Sequence, residues 1–511
     1  MTKKHIRRFR VRYDWVMFAL LMLFLFASII QKQTGFLRFR PLGGVIVATP
    51  KPQLSLETYQ NNTYQKQLEQ YASENFGLRE PVIRIYNQYL WSAFRKTYCH
   101  FIVPGKHNYL YYKAAVDDYY GTEVSGHIES YEEAVRNVEA ELELMHKLRD
   151  ILKGYGIEFL AFIAPDKPVV YPEFLPRQDA DITTLNVAEY FDRRMTETGF
   201  PHINMTSWFV AMRDTVSFPL FPKTDSHWGY SAIYGYDSLF RFMSALGEPD
   251  FPKLRIGPPV AWVSDKPEGD EETLNLLFRI PGDEVKYKSE ITVEPDTCQR
   301  KPRVLFVGDS FIWSMENYLP IRELMDEKEI WFYNSSAYMG FDKTKADVKE
   351  INALRHILKA DYVVFYAAGH QWHKATFGFT KDALRWFAES SHEDICKILT
   401  TNKIECNKDW LMAMKMYAFT HELPLEDVLG MEADNVLENR CLLRESVMFD
   451  SAVFIQIRKS DLIRQWQSDP TQMKHIEDKA KAQKLPFEEM LERDVQWVVE
   501  QQLKNKQYGI Q

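Results

Sequence analysis

The residue with the clearest chemical potential is a serine at the end of an apolar run. Ser310 follows Val304–Val307 and the dipeptide Gly-Asp. This pattern predicts a buried strand that ends in a turn leading into a helix. Such a turn exposes the serine hydroxyl and directs free helix N–H groups at a developing oxyanion. Gly-Asp-Ser alone is a weak signal, and the position at a strand end makes Ser310 the candidate nucleophile.

A serine hydroxyl needs a general base, and an upstream segment supplies one. Asp225 and His227 lie two residues apart, just before the helical pattern Ser231–Leu246. On a loop, this spacing lets the carboxylate hold the imidazole in one tautomer. The alternative is a helix-capping Asp beside a surface His. Together with Ser310, the pair predicts a Ser–His–Asp arrangement.

The elements that must bring these residues together follow from alternating strand and helix patterns. A helical stripe over Val138–Leu152 ends at Gly154. Continuous apolar runs separated by amphipathic helices are typical of a parallel sheet covered on both faces, with chemistry at the carboxyl ends of the strands. The predicted strands are Ile157–Ile163, Lys301–Ser310, Ile330–Tyr333 and Tyr362–Tyr366.

The amino terminus has the pattern of a signal anchor. Because cations precede the apolar run Trp15–Ile30, we expect a cytoplasmic amino terminus and an external catalytic region. The run is short for a spanning helix, so a cleaved signal peptide is the alternative, but no clear small-x-small cleavage site follows it. The cations are Lys3, Lys4, Arg7, Arg8, Arg10 and Arg12.

Composition excludes some function classes. The 511 residues, 45% of them hydrophobic, are enough for two or three domains with real cores. A net charge of -8 argues against a nucleic-acid binder. The 27 Tyr and 12 Trp suit contacts with sugars, although the same residues fill cores.

The cysteines contain no CxxC pair, and they predict neither a zinc site nor a disulfide framework. Cys396 and Cys406 are close enough in sequence to bridge in an oxidising compartment. We expect no catalytic role for any of the five, which are Cys99, Cys298, Cys396, Cys406 and Cys441.

The carboxyl-terminal part is helical beyond about Ala375 and contains an internal repeat. Leu423–Leu429 recurs as Leu485–Leu491. The repeat predicts two helix–turn–helix units, with Pro at the first turn of each second helix. It offers no set of residues for a reaction centre, so we expect packing or docking.

Together these segments resemble the alginate O-acetyltransferase family (AlgJ/AlgX) of SGNH hydrolase-like proteins, over about Tyr59 to His373. The most specific likeness is the order of the motifs: Asp225 and His227 precede Ser310, whereas ordinary SGNH esterases carry the serine block first. The matching segments are Gly308–Phe311, Thr224–Trp228, Asn75–Arg79, Pro104–Tyr112 and Pro165–Pro176.

The resemblance implies an α/β fold, namely an SGNH hydrolase-like (flavodoxin-like) parallel sheet flanked by helices. An amino-terminal transmembrane helix and an all-α carboxyl-terminal extension would complete it. The expected divisions are 1–32 (basic tail and signal anchor), 33–125 (linker and helix/strand region), 126–375 (catalytic domain) and 376–511 (helical repeat extension).

The resemblance also implies transfer of an acetyl group to hydroxyls of an exported polysaccharide, at the periplasmic side of a bacterial inner membrane. A membrane-bound O-acyltransferase would deliver the acyl group, and no metal or cofactor is needed. Ser310 would take the acyl group covalently, His227 would act as general base and then acid, and Asp225 would orient the imidazole.

Ordinary SGNH enzymes complete the oxyanion hole with a Gly after the second strand and a Gly-x-Asn after the third. The matching positions are Gly340 and Gln371, which offers an amide where Asn would lie; a surface amide is the alternative for Gln371. Four residues beside predicted strand ends are expected to line a sugar groove, although each could be structural: Lys167, Trp228, Tyr338 and Trp372.

Three other functions use the same observations. An acetyl esterase would differ only in whether water or a sugar hydroxyl takes the acyl group. A D-alanyl-transfer protein would carry its serine block first. A non-catalytic subunit of a polysaccharide export complex would not need an intact Ser, His and Asp set. The helical extension replaces the carbohydrate-binding β-module of some relatives, so the acceptor need not be alginate.

Overall fold

A mixed seven-stranded sheet forms the centre of the computed structural model, which describes residues 13–44, 49–120, 131–176, 186–294, 300–440 and 442–504. The strands in these ranges are β1 (Ile102–Pro104), β2 (Leu110–Tyr112), β3 (Glu158–Ala164), β4 (His202–Asn204), β5 (Leu254–Ile256), β6 (Val260–Val263), β7 (Val285–Lys288), β8 (Ile291–Val293), β9 (Arg303–Gly308), β10 (Glu327–Phe332), β11 (Ser336–Met339), β12 (Thr344–Asp347) and β13 (Tyr362–Ala368).

The order across the central sheet is β12-β11-β10-β9-β13-β3-β4. Strands β10, β9, β13, β3 and β4 are parallel, and β11 and β12 extend the sheet as an antiparallel hairpin. The three central strands bury almost every side chain, which explains their continuous apolar runs. The predicted parallel sheet is confirmed.

Helices cover both faces of the sheet and fill the two ends of the chain. They are α1 (Tyr13–Thr34), α2 (Leu56–Gln60), α3 (Thr63–Glu74), α4 (Arg79–Phe94), α5 (Lys113–Tyr120), α6 (Tyr131–Gly154), α7 (Lys167–Val170), α8 (Val187–Thr198), α9 (Thr206–Met212), α10 (Ala232–Leu246), α11 (Gly269–Thr273), α12 (Ser314–Tyr318), α13 (Ile321–Leu324), α14 (Ala353–Lys359), α15 (Phe379–Glu389), α16 (His392–Cys406), α17 (Lys408–His421), α18 (Leu425–Leu437), α19 (Leu443–Ser446), α20 (Ser451–Gln467), α21 (Pro470–Gln483) and α22 (Phe487–Lys504). Short 3-10 turns occupy Lys106–Asn108, Pro172–Phe174, Ser310–Trp313 and Gly369–Gly378.

Alternate residues of each strand enter two separate cores. On one face, Phe162 of β3 stacks on Tyr366 of β13, at 4.6 Å between ring centroids, beneath α10. On the other face, Phe159 and Phe365 pack among α6, α8, α14 and α15. Successive side chains of each strand point to opposite faces, so both faces of the sheet present apolar residues against which helices pack.

Helix α1 carries the apolar segment predicted as an anchor. Its stretch Trp15–Thr34 has a mean hydropathy of 2.0 and is long and apolar enough to cross a membrane, as a signal sequence would also be. Only 6% of that stretch is buried against the protein. The basic residues that set the predicted orientation lie outside the described residues.

The predicted repeat is present as two helix pairs, α17–α18 and α21–α22. The first helix of each pair ends at a residue with left-handed backbone geometry, Glu422 (φ 55°) and Lys484 (φ 56°). The next residue, Leu423 or Leu485, donates its N–H to the preceding helix at 2.9 and 3.0 Å. A proline then directly precedes the second helix, one residue before the first turn in which the sequence pattern places it.

The first helices beyond residue 375 pack on the sheet domain. Phe379 and Ala383 of α15 and Ile395 of α16 belong to the core of its second face. Cys396 and Cys406 both lie on α16 and are free thiols. Ten residues of helix separate them by about 15 Å, which is too far for a disulfide; Cys298 and Cys441 lie outside the described residues.

Candidate active site

The candidate nucleophile lies where β9 ends beside β13. At Gly308, the last residue of β9, a Cβ atom would lie 2.3 Å from the carbonyl oxygen of Tyr366. Only glycine permits this approach of two backbones. The close packing brings Ser310, two residues later, to the carboxyl edge at the middle of the sheet.

The turn that holds Ser310 is fixed by Asp309, which is 1% exposed. Its Oδ1 accepts a hydrogen bond from the Phe311 N–H at 2.9 Å, and its Oδ2 accepts from the Ala368 N–H at 2.8 Å. The first bond caps the 3-10 turn Ser310–Trp313, and the second ties it to the end of β13. Burial raises the pKa of Asp309, while the nearby His370 and His227 and its backbone donors oppose the rise.

The histidine and aspartate reach Ser310 from the loop before α10. His227 Nε2 lies 2.8 Å from Ser310 Oγ, although 83 positions separate them in sequence. On the other side of the ring, Nδ1 lies 3.1 Å from Asp225 Oδ1, which also accepts the His227 backbone N–H at 3.0 Å. The carboxylate and the hydroxyl thus face opposite nitrogens of one imidazole, the geometry that prepares a serine for attack.

His227 and Asp225 shift each other's pKa values, so that each favours the charged form of the other. Burial lowers the pKa of His227, but the hydrogen bond and charge of Asp225, together with Asp270 and Asp309, raise it to about 9. Burial raises the pKa of Asp225, and its hydrogen bonds and the charge of His227 lower it overall. The site therefore stabilises an imidazolium, the form that a general base would take after accepting the serine proton.

The buried side chain of Lys167 binds the loop that carries Asp225. Its ammonium group lies 2.6–2.8 Å from the carbonyl oxygens of Leu110, Pro222, Lys223 and Asp225, and the residue is 1% exposed. An ammonium has three donors, and all are taken up here. The structure therefore assigns Lys167 to the support of Asp225, a role that the sequence did not predict. The expected contact with a sugar stays a prediction, since Lys167 also lines the cavity in front of Ser310.

A cavity of about 150 Å³ opens in front of Ser310. Ser310 and His227 form one wall, and the ends of β3 and β13 form another. The lining residues are Phe101, Tyr112, Ala115, Asp166, Lys167, Pro168, Ser226, His227, Asp270, Asp309, Ser310, Phe311, Tyr333, His370 and Gln371.

Two tryptophans expected in a sugar groove belong to the cores instead. Trp228 is 2% exposed and donates its indole N–H to Ser314 Oγ at 2.7 Å, behind the nucleophile turn. Trp372 is 1% exposed and packs against Phe191 of α8, with ring centroids 4.9 Å apart. Large apolar rings next to strand ends are here enclosed by the covering helices.

Tyr338 lies on β11, outside the lining of the cavity. Its ring packs edge-on against Trp313, 5.0 Å between centroids, and the Lys345 ammonium lies 5.6 Å from its centre. Trp313 ends the turn that begins at Ser310, so Tyr338 reaches the site through one intervening ring. Both rings are half-buried.

Gly340 lies away from the edge that carries Ser310. Strand β11 runs back along β10, so that Ser336 pairs with Phe332 and Met339 pairs with Glu329. Gly340 therefore follows the end of β11 that is about 10 Å from the carboxyl edge. The position expected for Gly340 is taken by Tyr333, which directly follows β10 and lines the cavity. Gln371 does line it.

Sequence reasoning missed several polar residues around Ser310. Asp270 accepts the Ser226 N–H at 2.7 Å, and burial, with the charge of Asp225, raises its pKa to about 6. Asp166 and His370 form a second buried pair. Asp166 lies in the matching segment Pro165–Pro176, and Asp166 and His370 lie shortly after strand patterns, a position that many structural residues share. No local pattern indicated Asp270.

The fold was compared with known proteins. No protein-family model matches the chain, and a comparison with curated proteins gives no match. The solved structures that resemble it include the O-acetyltransferase domain of Pseudomonas putida AlgJ (TM-score 0.32, 16% identity, covering 56% of this chain and 86% of that one). Bacillus cereus PatB1 (0.32, 12%, 54% and 98%) and Pseudomonas aeruginosa AlgX (0.34, 14%, 57% and 69%) are similar at the same level. A similarity at this level does not identify an activity.

Proposed function

We propose that the protein is an extracytoplasmic O-acetyltransferase that modifies an exported polysaccharide through an acyl-Ser310 intermediate. The observation that carries the proposal is the hydrogen-bonded series Ser310 Oγ, His227 and Asp225, at 2.8 and 3.1 Å. A serine aligned in this way is a nucleophile for acyl groups. The choice of an acetyl group as the acyl group and of a sugar as the acceptor rests on the sequence resemblance to alginate O-acetyltransferases.

The first half-reaction loads the serine. Ser310 Oγ attacks the carbonyl carbon of the acetyl donor while His227 Nε2 takes the hydroxyl proton. The carbon–oxygen π bond opens to a tetrahedral oxyanion, and Asp225 stabilises the imidazolium. The oxyanion then collapses, the bond to the donor breaks, and His227 returns the proton to the departing donor atom. An acetyl ester on Ser310 remains.

The second half-reaction reverses these roles with a sugar. His227 takes the proton of an acceptor hydroxyl, whose oxygen attacks the acetyl carbonyl carbon. The tetrahedral oxyanion collapses with loss of Ser310 Oγ, which recovers its proton from His227. The backbone N–H of Ser310 and the side chain of Gln371 are the proposed donors to both oxyanions.

The size of the cavity and the position of α1 agree with this reaction. A cavity of about 150 Å³ has room for a short acyl group. Helix α1, if it remains in the membrane, would hold the enzyme near a membrane-bound O-acyltransferase that supplies acetyl groups. The polysaccharide would then meet the acyl-serine on the outer side of the membrane.

The decisive experiment follows the acetyl group in two steps. We expect incubation with 4-nitrophenyl acetate to add one acetyl group to Ser310, detected by intact mass and peptide mapping. Added oligosaccharides should then remove that group faster than buffer alone and become O-acetylated. Loss of the acetyl group to water at the same rate with every oligosaccharide tested would favour an esterase. No acetylation of Ser310 in folded protein would contradict the enzyme.

A further inference from the structure

A second carboxylate–imidazole pair shares the cavity of Ser310. His370 Nδ1 lies 2.6 Å from Asp166 Oδ1, and the His370 backbone N–H donates to Asp166 Oδ2 at 2.5 Å. Their side chains are 4% and 6% exposed. Asp166 follows β3 and His370 follows β13, so both belong to the edge that carries the nucleophile. The mechanism above gives this pair no task.

The backbone is shaped to admit the pair. At Gly369, a Cβ atom would lie 2.6 Å from Asp166 Oδ2. Any other residue would push the carboxylate off the two donors of His370. The pair is therefore a buried, closely fitted contact between neighbouring strand ends, unlike an ion pair on a surface.

The far side of the imidazole meets Gln371. The two Nε2 atoms, of His370 and of Gln371, are 3.0 Å apart. The amide oxygen of Gln371 is buried and has no hydrogen-bond partner among the described residues. The orientation seen thus leaves the amide oxygen, an acceptor, without a donor in a residue that lines the cavity. Rotation of the amide by 180° would exchange its oxygen and its NH2 group.

The state of His370 decides which end of the amide it holds. Because Nδ1 carries the proton that points at Asp166, a neutral His370 has a lone pair at Nε2 and binds the NH2 group. A charged His370 has an N–H at Nε2 and binds the amide oxygen instead. The second arrangement gives the oxygen a partner and releases the NH2 group, a donor, from its contact with His370.

The surroundings of His370 favour its charged form. Burial lowers the pKa of His370, but Asp166, Asp309 and Asp118 raise it above its ordinary value. Asp118 itself has a pKa raised to about 7, by burial and by the charge of Asp166. The other groups that face the ring are Tyr112, with ring centroids 5.4 Å apart, and His373 and Lys374 of the same turn.

We infer that Asp166 and His370 are positioning residues that fix the Gln371 amide with its NH2 group toward the oxyanion formed at Ser310. The inference rests on the proposed function. The oxyanion site then comprises three side chains. The Asp166 carboxylate orients the His370 imidazole, and the imidazole orients the Gln371 amide.

A double-mutant cycle tests this coupling, with kcat and KM for 4-nitrophenyl acetate as the readout. Gln371→Ala should lower kcat on the order of 100-fold with little change in KM, as loss of an oxyanion donor does. Asp166→Asn should lower kcat about 10- to 100-fold, as loss of an orienting partner does. In the Gln371→Ala background, Asp166→Asn should cost almost nothing further, because the amide that it orients is already gone.

Two further variants separate positioning from folding. His370→Gln can still donate to Asp166 and should give the same kcat loss as Asp166→Asn. Both variants are assayed below their own unfolding temperatures, so that the kcat loss is measured on folded protein. Asp192→Asn is the matched control, since it breaks the Asp192–His202 pair (3.1 Å) at the opposite end of β4. It should leave kcat unchanged.

The outcomes also distinguish this inference from the proposed function. Wild-type kcat in Gln371→Ala, or an equal loss from Asp166→Asn in both backgrounds, would overturn the positioning role. If Ser310→Ala is inactive at the same time, the acyl-serine step of the proposed function stands and only the inference falls. If Ser310→Ala keeps the activity, the proposed function itself is wrong.

Discussion

Buried polar groups are paired differently at the sheet edge around Ser310 and in the helical tail, which comprises described residues 408–440 and 442–504. In the tail, Glu432 is fully buried, and its two oxygens accept from Trp410 and from the Leu443 N–H at 2.7 and 2.5 Å. Within described residues 408–440 and 442–504, no buried side-chain polar atom lacks a partner. At the sheet edge, Asn334 and Gln371 each leave a buried oxygen unpaired.

This difference in hydrogen-bond pairing distinguishes polar groups that stabilise the fold from polar groups that can still bind a substrate. A satisfied buried polar group stabilises one arrangement and has nothing left to offer a substrate. An unpaired group beside a cavity costs stability, and proteins tolerate such groups mainly at functional sites. The contrast agrees with the proposed chemistry at the sheet edge and with the expected role of the tail in packing or docking.

The largest expected effect is the removal of the nucleophile or its base. Ser310→Ala and His227→Ala should each lower kcat/KM about 10⁴- to 10⁶-fold, because neither the covalent intermediate nor the proton transfer can form. Hydrolysis of 4-nitrophenyl acetate measures the loss. Ser446→Ala is the control in the tail, where the hydroxyl only bonds the Leu443 carbonyl at 2.6 Å; a comparable loss there would remove the contrast between the regions.

Asp225→Asn should have the next largest effect, about 10³- to 10⁴-fold in kcat, because the amide no longer holds the required tautomer of His227. It should also move the pH profile. In the wild type, kcat/KM should rise with pH up to about 9, where His227 becomes a neutral base. Loss of the Asp225 charge lowers that pKa, so the rise should occur at lower pH.

The matched change in the tail is Asp461→Asn, which breaks the ion pair with Lys415 at 2.7 Å. It should alter neither the rate nor the pH profile. A profile of Asp225→Asn that is identical to the wild type would show that another group titrates in the acid limb.

Removal of the loop support should affect stability more than chemistry. Lys167→Met removes the ammonium that donates to four carbonyl oxygens, of which only the Lys223 oxygen is known to keep another donor, the Leu110 N–H. It should lower the free energy of unfolding by about 2–4 kcal/mol. Chemical denaturation measures it. Lys415→Met in the tail removes one partly exposed ion pair and should cost about 1 kcal/mol or less. Equal costs for the two lysines would mean that the loop does not depend on Lys167.

The sequence predicted those parts of the site that local patterns encode. A strand run before Ser310 and an Asp-x-His segment before a helix specify where each residue lies on its element. The parallel sheet brings Ser310 to its carboxyl edge, and the loop before α10 brings His227 to the same place. Gly340 was misplaced because the chain turns back as β11. The cluster Asn334-Ser-Ser is the sequence signal of that turn, and the prediction did not use it.

Residues whose role depends on distant partners could not be predicted. From its sequence position alone, Lys167 would be taken for a surface cation. Only the tertiary structure shows that the loop near Asp225 covers it. Asp166 and His370 lie 204 positions apart, and neither stands in a recognisable motif with the other. Burial of a charge and pairing across strand ends are tertiary facts, which a pattern of neighbours along the chain does not contain.

The smallest expected effect on small-ester hydrolysis comes from the largest deletion. A chain that ends after Asn407 keeps α15 and α16, which pack on the sheet, and loses the repeat helices. The links that it breaks to the sheet domain include Arg322 with Ser468, at 2.7 Å, and Arg355 with Glu426. Neither link touches a residue that lines the cavity of Ser310.

Activity toward 4-nitrophenyl acetate should therefore be unchanged in the shortened protein, while O-acetylation of polymer in cells should fall if the tail docks a partner. Ending the chain instead after Ala388 would remove α16, whose Ile395 belongs to the core under the sheet, and should lower stability. Thermal unfolding of both chains checks that each result comes from folded protein. Loss of small-ester activity in the folded, Asn407-terminated chain would show that the tail completes the site, and the contrast between the two regions would no longer hold.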